Sequence, residues 1–582
     1  MRWLEYIVFL AIVVALARPA GLYLARVSER KRTFLDPVFR PVESFLYALF
    51  GVHPEKEMRA PVYSACFLLF GAGCSILLFL ILMLERSLPG GPADAYLTTP
   101  MTADLAANTA VSFATTTTWQ AYAGETTLRY LAQAVGLVAQ NFMAGAAGLA
   151  VGFAFIRGIA RERSSTIGNF WVDLVRSLLY VLLPLALIGS VVLIWQGVPL
   201  NMAPYTLAHT LEGRTQTIAQ GPVAALEFIK NLGTNGGGFF NANGAHPYAN
   251  PTPFTNFLGM LAIAVLPASL MVTFGHLTGR PRAGWVLLGV MLALFVLGLG
   301  VCDWAEAGTP PQLAGLHIVG PNMEGKEVRF GAGGSVLTAI VTSNTSTGSY
   351  NSMHDSFQPM GVLPPLIFML LGEVVFGGLG TGVYSIVMTA LVGIFLGGLM
   401  VGHTPVYLGK KISSAETRWI ALYALLTPMV VLLLTGVAVA TNAGLAGMAT
   451  NSGPRGFTEI LFAYASCMAN NGQAMAGLNV NSVFYNATTA IPCWPDATDW
   501  RRFRWLWRDG SQRSAALRRR QGRCPAIRRP SARSSSAPSL RSAAYASFPP
   551  SRLVRSWSSS GADVSRRRPT RVNFAFATRM PP

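Results

Sequence analysis

Charged side chains and cysteines are scarce in this 582-residue chain. Charged residues make up 12% of it, whereas a soluble globular protein carries about 25%, which argues against a soluble domain. The six cysteines show no CxxC spacing, so neither a disulfide framework nor a zinc site is indicated. The sequence also contains neither GxxxxGK followed by Ser or Thr nor DKTG, the motifs that bind ATP or accept its phosphate. The chain itself is therefore not expected to hydrolyse ATP.

Long apolar runs are abundant instead, since hydrophobic residues make up 52% of the chain. Eight runs are about 20 residues or longer, and each can cross a hydrocarbon core of about 30 Å as a helix. The first begins at the N-terminus but is too long for the apolar region of a signal peptide, so we interpret it as a membrane helix. The predicted spans are 3–24, 61–84, 128–156, 170–195, 254–275, 283–302, 361–401 and 419–441. The sequence thus predicts an all-α polytopic protein of the lipid bilayer.

Lys and Arg are distributed unevenly between the loops that join these spans. The loops 25–60, 157–169, 276–282 and 402–418 hold 15 Lys and Arg in 73 residues. The alternate loops 85–127, 196–253, 303–360 and 442–480 hold 6 in 198 residues. Because positively charged loops stay in the cytoplasm, the first set is predicted to be cytoplasmic and the N-terminus to lie outside.

The net charge of +19 comes mostly from the C-terminal tail. From Asp496 to the end the chain has 20 Arg, no Lys and 4 Asp, a net charge of +16. Basic residues confined to one tail form no folded face for nucleic acid, so no nucleic-acid partner is predicted. Arg without Lys is typical of GC-rich DNA translated out of frame, and we hypothesise a frameshift near residue 490 that leaves residues 491–582 disordered. The alternative is a disordered basic tail that binds anionic lipid.

Each long outer loop contains the same succession of features. An apolar stretch too short to span the membrane is followed by a polar turn rich in Thr, Asn and Gly, and then by the next span. The stretches are Leu105–Ala114, Val223–Leu232, Ser335–Val341 and Phe457–Ser466. With Thr117, Gly236, Gly348 and Gly472 as markers of the turns, the spacings are 119, 112 and 124 residues. Such a period indicates a fourfold internal duplication.

The predicted fold is therefore four pseudo-symmetric helix–re-entrant P-loop–helix repeats with one extra N-terminal helix. The extra helix and a cytoplasmic loop occupy residues 1–60. The repeats are predicted at 61–156, 170–275, 283–401 and 419–490. The last repeat is expected to be incomplete, because its second helix is cut short where the tail begins at residue 491.

The four polar turns are candidates for an ion-selectivity filter. Non-helical backbone at membrane depth is tolerated only where protein buries it or water lines it, and four loops that enter from one face satisfy this rule by converging on one axis. Hydroxyl, amide and carbonyl oxygens are neutral ligands that replace the hydration shell of a monovalent cation. The candidate filter residues are Thr115, Thr116, Thr117, Thr118, Thr234, Asn235, Gly236, Ser346, Thr347, Gly348, Asn470, Asn471 and Gly472.

Acidic residues are absent from the turns, which argues against a filter for divalent cations. The nearest acids flank the turns at Glu125, Glu227, Asp355 and Glu459. Each turn taken alone has an ordinary explanation, since glycine runs pack helices, Thr clusters satisfy backbone groups and Asn-Gly pairs form simple turns. The face, spacing and preceding short helix that all four share favour the filter.

The seventh apolar stretch is irregular. Residues 361–401 are too many for one crossing, and the glycines that interrupt them are Gly377, Gly378, Gly380 and Gly382. A broken helix in mid-membrane is a common place for a gate or an ion route, although a kink or a close helix contact explains the glycines equally well. Glu373 lies just before the break. An acid inside the membrane is a functional candidate, and a buried hydrogen-bonded carboxyl is the alternative.

At these residues the chain resembles a known family, the potassium-binding subunit of the bacterial Kdp potassium-transporting ATPase (KdpA). The similar segments run in order through all four loops to about Asn486. They are SFATTTTWQAYAGE at 112–125, GTNGGGFFNANGAHPYANP at 233–251, NSMHDSF at 351–357, GEVVFGG at 372–378, TPVYLGKK at 404–411 and NNGQAMAGL at 470–478. The resemblance implies a channel-like fold with ten membrane helices in the bacterial inner membrane. It also implies that the four turns form a potassium filter, with Gln120 in support.

The resemblance further implies partners. A P-type ATPase subunit (KdpB) would hydrolyse ATP, and two small subunits (KdpC and KdpF) would complete the complex, so this chain is expected not to be an enzyme. Potassium is then a substrate, and no covalently bound cofactor is expected. The rivals are a stand-alone potassium channel or cation-coupled uptake protein, a secondary transporter of organic solutes, and the inactive product of a damaged gene. Four re-entrant loops on one face argue against the secondary transporter, which usually has inverted repeats.

This chain departs from the family pattern in three places. The family usually reads Thr-Asn-Thr-Asn-Trp-Gln where this chain has residues 115–120, so hydroxyls replace amides at Thr116 and Thr118. In the fourth turn Ala469 stands where the family usually has a first Asn. The family also continues with two further helices where this chain has its tail. Ligation by backbone carbonyls is expected to survive the first two changes.

Overall fold

The computed structural model of the chain describes residues 2–498, except 162–163, 165, 317–318, 403–405, 409 and 412–413. Helices dominate this part of the chain, and eight of them are long and apolar enough to cross a membrane. The chain is therefore a multi-pass membrane protein, as the sequence predicts. The helices of ten or more residues, in chain order, are α1 (Arg2–Ser28), α2 (Asp36–Leu49), α3 (Ala60–Met83), α4 (Ala103–Ala114), α5 (Ala132–Ala160), α6 (Phe170–Trp195), α7 (Val223–Leu232), α8 (Pro253–Leu277), α9 (Pro281–Ala307), α10 (Gly331–Asn344), α11 (Pro359–Leu370), α12 (Thr381–Val401), α13 (Ser414–Ala440), α14 (Gly453–Met468) and α15 (Val483–Thr498).

Each repeat consists of a long helix, a short helix, a polar turn and a second helix. The first repeat is α3, α4 and α5, and the second is α6, α7 and α8. The third is α9 and α10 followed by the pair α11 and α12, and the fourth is α13, α14 and α15. The short helices α4, α7, α10 and α14 contain the four predicted apolar stretches, so their positions are as the sequence predicts.

Strands are few and short in the described residues, and each pairs only with one other strand. The pairs are antiparallel: β1 (Met58–Arg59) with β2 (Thr166–Gly168), β3 (Thr206–His209) with β4 (Thr215–Ile218), and β5 (Val406–Tyr407) with β6 (Lys410–Lys411). All of them lie in loops between helices. Their contribution to the apolar interior is small, with Ile167 of β2 buried in it.

Local sequence explains where the second helix of the second repeat begins. Thr252 caps α8, since its side chain accepts a hydrogen bond from Thr255 N at 3.2 Å, and the Thr255 hydroxyl in turn accepts one from Thr252 N at 3.1 Å. Pro253 then occupies the first turn, where its missing N–H costs no hydrogen bond. This capping arrangement fixes the point at which the polar segment after the second turn becomes helical.

Helix α1 lies outside the four repeats and packs against α8 and α9. A Cβ on Gly21 would lie 2.6 Å from Ser269 O, so the two helix backbones are in close contact there. The Thr273 hydroxyl donates to Gly21 O at 2.9 Å, and the Tyr6 hydroxyl donates to Asp303 Oδ1 at 2.8 Å. The predicted extra N-terminal helix is thus bound to the second and third repeats. The segment that follows it, predicted as a cytoplasmic loop, contains the helix α2.

The seventh predicted span, residues 361–401, is two helices. Helix α11 ends at Leu370 and α12 begins at Thr381. Between them the backbone has positive φ at Gly372, Glu373, Phe376, Gly377 and Gly380, angles that a continuing helix does not allow. Only α12, of 21 residues, is long enough to cross the membrane. We call residues 371–380 the break.

The fourth repeat has a second helix of 16 residues, α15. The predicted boundary between this repeat and the tail, at residues 490 and 491, therefore falls inside a helix. The helix is shorter than the ~20 residues that a crossing needs, but it closes the fourth repeat onto the first. Asn108 Nδ2 in α4 donates to Asn486 O at 2.8 Å and to Thr489 Oγ1 at 2.9 Å. The tail beyond Thr498, with its predicted frameshift and disorder, lies outside the described residues.

Candidate functional site

The four polar turns have the same backbone shape. Each begins directly after a short helix, with the C-cap residue of that helix: Thr115, Gly233, Thr345 and Ala469. The next residue has a positive φ in every turn: 68° at Thr116, 48° at Thr234, 53° at Ser346 and 46° at Asn470. The residue after it is fully buried in every turn, namely Thr117, Asn235, Thr347 and Asn471 at 0% exposure. Four unlike sequences therefore share one backbone pattern over these three residues. At the fourth residue, φ is positive at Thr118, Gly348 and Gly472 but not at Gly236.

This common shape shifts the predicted register of the first turn by one residue. Counting from the helix ends, the position of Gly236, Gly348 and Gly472 is occupied in the first turn by Thr118. Thr117, the predicted marker, corresponds instead to the residue before each glycine. The marker was wrong because four consecutive threonines offer no internal landmark.

The four turns contact one another in a closed circle. A Cβ on Gly236 would lie 2.6 Å from Thr347 O and also 2.6 Å from Thr118 Oγ1. A Cβ on Gly348 would lie 2.1 Å from Asn471 O, and one on Gly472 would lie 2.1 Å from Thr117 O. The second turn thus contacts the third, the third the fourth, the fourth the first, and the first the second. We call these turns, residues 115–118, 233–236, 345–348 and 469–472, the ring.

Side-chain hydrogen bonds hold neighbouring turns together. The Thr117 hydroxyl donates to Asn470 Oδ1 at 2.6 Å, which joins the first and fourth turns. Asn471 Nδ2 donates to Thr342 O at 3.0 Å, which joins the fourth turn to α10. Gln120 Oε1 accepts from Gly238 N at 2.8 Å, so Gln120 links the first and second turns from the position predicted for a supporting residue.

The chemistry of the ring follows from its atoms. All the predicted filter residues lie in it, and none of them carries a formal charge. The C-terminal ends of α4, α7, α10 and α14 lead directly into it, and a helix C-terminus carries a partial negative charge. Neutral oxygens with this polarity suit a desolvated monovalent cation.

A cavity lies on each side of the ring. The first, which we call the vestibule, has an empty volume of about 610 Å³. Its lining includes Thr118, Gln120, Gly348, Glu459 and Gly472. The second, which we call the helix-end cavity, has an empty volume of about 520 Å³. Its lining includes Thr115, Thr116, Gly148, Thr381, Tyr384 and Asn470. Because one cavity touches the late residues of the turns and the other the early ones, the ring separates them.

The break contacts the ring beside the helix-end cavity. Leu379 N donates to Thr234 Oγ1 at 2.8 Å, and Gly377 N donates to Asn344 O at 3.0 Å. The Glu373 carboxylate accepts from Gly378 N at 3.2 Å and from the Thr381 hydroxyl. The structure thus brings the predicted gate residues together with the filter residues. Glu373 is hydrogen-bonded and buried, which was the alternative interpretation of this acid, and it also lies within the break.

Glycines in and next to the break are tightly enclosed. A Cβ on Gly380 would lie 2.1 Å from Gly148 O, and a Cβ on Gly152 would lie 2.7 Å from Gly380 Cα. The break therefore rests on a strip of small residues in α5. Gly382, in the first turn of α12, packs against the break, since its Cβ would lie 1.6 Å from Phe376 O.

Three of the acids that flank the turns have different surroundings. Glu125 accepts hydrogen bonds from Asn241 N at 3.0 and 3.2 Å, and burial raises the pKa of its carboxyl. Asp355 forms an ion pair with Arg455, with Nε and Oδ1 3.3 Å apart. Glu459 lines the vestibule and is 1% exposed. None of the three lies in the ring.

The fourth flanking acid belongs to a buried network that sequence reasoning missed. Glu227 and Lys230, both in α7, form an ion pair with Oε2 and Nζ 2.6 Å apart, and the Lys230 side chain is fully buried. Lys230 Nζ also donates to Asn243 Oδ1 at 2.7 Å, and Asn243 Nδ2 donates to Gly237 O at 2.8 Å. A fixed cation thus orients the amide that holds the backbone next to the ring. The only signal in the sequence was an acid and a lysine three residues apart in an apolar stretch.

Comparison with known proteins gives consistent matches. A family model described as "Potassium-transporting ATPase A subunit" matches residues 7–494. A protein of Methylorubrum extorquens is 49% identical over 489 residues, which cover 84% of this chain and 85% of that protein. Proteins of Acidobacterium capsulatum and Bradyrhizobium diazoefficiens are each 48% identical, over 507 and 488 residues, and cover 83% and 84% of this chain and 85% of their own length. All three relatives bear the name "Potassium-transporting ATPase potassium-binding subunit".

Proposed function

This chain belongs to the potassium-transporting ATPase A subunit family, and we propose that it binds potassium in the ring and delivers it to an ATP-hydrolysing partner subunit. Its curated relatives are potassium-binding subunits of such an ATPase, so the chain itself is not the catalytic subunit. Potassium is its substrate, and no covalently bound cofactor is needed for this role.

The closed circle of contacts between the four turns carries this proposal. Potassium gives up its hydration shell only where oxygens replace the lost water at similar distances. The ring offers hydroxyl and backbone oxygens from four directions, and the glycines keep neighbouring turns close enough to touch. Because the ligands are neutral and the helix ends add only partial charge, a divalent ion would lack the carboxylates it prefers.

The proposed path runs from the vestibule through the ring to the helix-end cavity. On this path the vestibule opens to the outside, which agrees with the excess of Lys and Arg in the opposite loops and with an N-terminus outside. The break lies at the far end, where Thr381 lines the helix-end cavity and Leu379 contacts the second turn. Glu373 and the glycines of the break are therefore proposed to control the exit of the ion.

The proposed partners are the P-type ATPase subunit KdpB and the small subunits KdpC and KdpF, in the bacterial inner membrane. The names of the relatives support an ATPase partner in general terms. A stand-alone channel or cation-coupled uptake protein would need none of these subunits. Co-purification of an ATP-hydrolysing subunit with this chain separates the two functions.

Substitution of one ring glycine tests the proposal. In Gly348→Ala the new Cβ would lie 2.1 Å from Asn471 O, and Gly348 has a φ of +71°, so the ring must deform. We expect loss of high-affinity potassium uptake and of the preference for potassium over rubidium. The measurement is potassium-limited growth and rubidium uptake in cells that lack other potassium uptake systems.

The matched control is Gly436→Ala in α13. A Cβ at Gly436 has open space around it, so this variant should transport as the unmodified protein does. Equal uptake and equal ion preference in both variants would remove the ring from the proposed function.

A further inference from the structure

Charged side chains are rare in the lining of the vestibule. Of the described residues that line it, only Glu459 carries a formal charge. The rest of the lining is polar or apolar, and includes Gln120, Tyr122, Asn241 and Tyr350. A single carboxyl, that of Glu459, therefore reaches the vestibule wall in front of a neutral ring.

The Glu459 carboxyl is only half satisfied by hydrogen bonds. Its Oε1 accepts from Asn451 Nδ2 and, at 3.5 Å, from the Thr450 hydroxyl. Its Oε2 has no hydrogen-bond partner among the described residues, although the side chain is 99% enclosed. A buried carboxylate oxygen without a donor is costly, so this atom is expected to have a ligand in the working protein.

The nearby cation, Arg455, makes its hydrogen bonds to groups other than Glu459. Arg455 pairs with Asp355, at 3.3 Å between Nε and Oδ1, and it also donates to Phe357 O at 3.1 Å. Asn451 Nδ2 bridges the two carboxyls, since it lies 2.9 Å from Asp355 Oδ2 and also donates to Glu459. With Asp355 paired to Arg455, the ionised form of Glu459 leaves one uncompensated negative charge at the vestibule wall.

Only the fourth repeat carries this acid. Counting back from the ends of the short helices, the residues that correspond to Glu459 are Leu105, Val223 and Ser335. The fourfold architecture therefore does not require a carboxyl at this position. The carboxyl is found only on the side of the vestibule that the fourth repeat forms.

We propose that Glu459 forms a holding site for one monovalent cation in the vestibule, ahead of the ring. The proposal rests on the proposed function and adds to it a second cation site with a charged ligand. A lone charge in a concave site concentrates cations and speeds their capture. The ring then selects among the cations that the vestibule supplies.

A proton is the competing ligand. Burial raises the pKa of the Glu459 carboxyl to about 7; the hydrogen bond from Asn451 and the charge of Arg455 lower this pKa, whereas the hydrogen bond with the Asp355 carboxyl and the charge of Asp355 raise it. The charged and titratable groups that face Glu459 are Asp355, Arg455 and Tyr485. Capture should therefore weaken as the outside pH falls below about 7, because protonation removes the charge.

The test uses Glu459→Gln in the assembled ATPase complex, with potassium-stimulated ATP hydrolysis as the readout. At low ionic strength we expect the half-saturating potassium concentration to rise about tenfold, with the maximal rate and the rubidium-to-potassium ratio unchanged. The difference in half-saturating potassium concentration between Glu459→Gln and the unmodified complex should shrink when a large cation that cannot pass through the ring is added at high concentration, because salt screens the charge. Glu459→Asp keeps the charge and should stay close to the unmodified complex.

The matched control is Glu327→Gln. This acid pairs with Arg329 outside the vestibule and its side chain is 41% exposed, so its loss should leave potassium dependence unchanged. The contrary result is that the Glu459→Gln complex has a higher melting temperature and an unchanged half-saturating potassium concentration. The carboxyl would then hold only a proton. This result would overturn the holding site but would leave the proposed role of the ring as it is.

A pH series on the unmodified complex covers the case in which Glu459→Gln fails to assemble. A half-saturating potassium concentration that stays constant between pH 8 and pH 5.5 would also overturn the holding site. The proposed function fails separately, if hydrolysis in the unmodified complex does not depend on potassium or if Gly348→Ala behaves as the unmodified complex does.

Discussion

Two threonines in the first turn hold backbone angles that suit other residues better. Thr116 and Thr118 have φ of 68° and 50°, a region that β-branched residues rarely enter. Each hydroxyl donates to the carbonyl just before it, and for Thr118 this distance is 2.8 Å. Asn enters the same region more readily, and the family that the sequence resembles usually has Asn at both positions. The first turn of this chain is therefore strained relative to that pattern.

Replacing both threonines by Asn should relieve this strain. Because a left-handed residue that is not Gly, Asn or Asp costs about 1–2 kcal/mol, Thr116→Asn with Thr118→Asn should raise the melting temperature of the purified complex measurably. Thr117→Asn is the control, since Thr117 does not have a positive φ and its hydroxyl bond to Asn470 would be lost. A gain in the control equal to that of the double variant would show that strain is not the cause.

At the scale of elements, α7 differs from the other short helices by the buried pair Glu227 and Lys230. Through Asn243 this pair fixes Gly237 O, which follows the second turn of the ring. Asn243 itself has a φ of 52°. The second turn is thus held by a network that the other three turns lack at this position.

Asn243→Ala should disturb ion binding without unfolding the protein. The change leaves Gly237 O without its side-chain donor, at a cost of about 1–3 kcal/mol, and removes one of the two partners of the Lys230 ammonium, which keeps its ion pair with Glu227. We expect a higher half-saturating potassium concentration and a weaker preference for potassium over rubidium. Asn241→Ala, on an exposed residue of the same loop, is the control. Unchanged ion preference in Asn243→Ala would mean that the network has no influence on the ring.

The break and α5 form a second element-scale contact. Gly152→Ala should separate them, because the new Cβ would lie 2.7 Å from Gly380 Cα. We expect a lower maximal transport rate with an unchanged half-saturating potassium concentration, since the ring keeps its own contacts. Gly393→Ala in α12, where a Cβ has open space, is the control. A change in half-saturation alone would contradict a role of this contact in ion release.

The sequence alone predicts the bounds of those helices whose ends are marked by distinctive residues. Helix α7 begins and ends where predicted, at Val223 and Leu232, because Pro222 and Gly233 delimit it. Helix α10 extends beyond both predicted ends, and at its start the three glycines Gly331, Gly333 and Gly334 are poor helix formers that tertiary contacts keep helical. A Cβ on Gly333, for example, would lie 2.9 Å from Arg2 Cγ. Local propensity gives no sign of such a contact.

The site shows the same division. Its filter residues could be predicted because four turns repeat one chemical composition at nearly one spacing. Three features could not be predicted: the register of Thr118, the contact of Asn243 with Lys230 and the unpaired oxygen of Glu459. Each depends on which segments of the chain come together in the folded protein. Contacts between distant parts of the chain are the information that a single sequence does not display.

At the scale of the molecule, α15 completes the circle of repeats. It binds α4 through Asn108 and α14 through the Tyr464 and Thr488 hydroxyls, 2.8 Å apart. A chain that ends after Ser482 should therefore fail to assemble, because the fourth and first repeats lose their connection. A chain that ends after Thr498 keeps every described contact, and the family match ends at residue 494, so it should support potassium-limited growth as the full chain does. Failure of the longer truncation would assign a function to the tail.

The ring also has a genetic consequence. In a channel assembled from four identical chains, every codon change appears at all four corners of the pore at once. Here each of the four turns has its own codons. Thr118, for example, takes the position that a glycine takes in the other three turns. Selection can therefore adjust ion affinity in small steps, one corner at a time, while the other three corners preserve the passage.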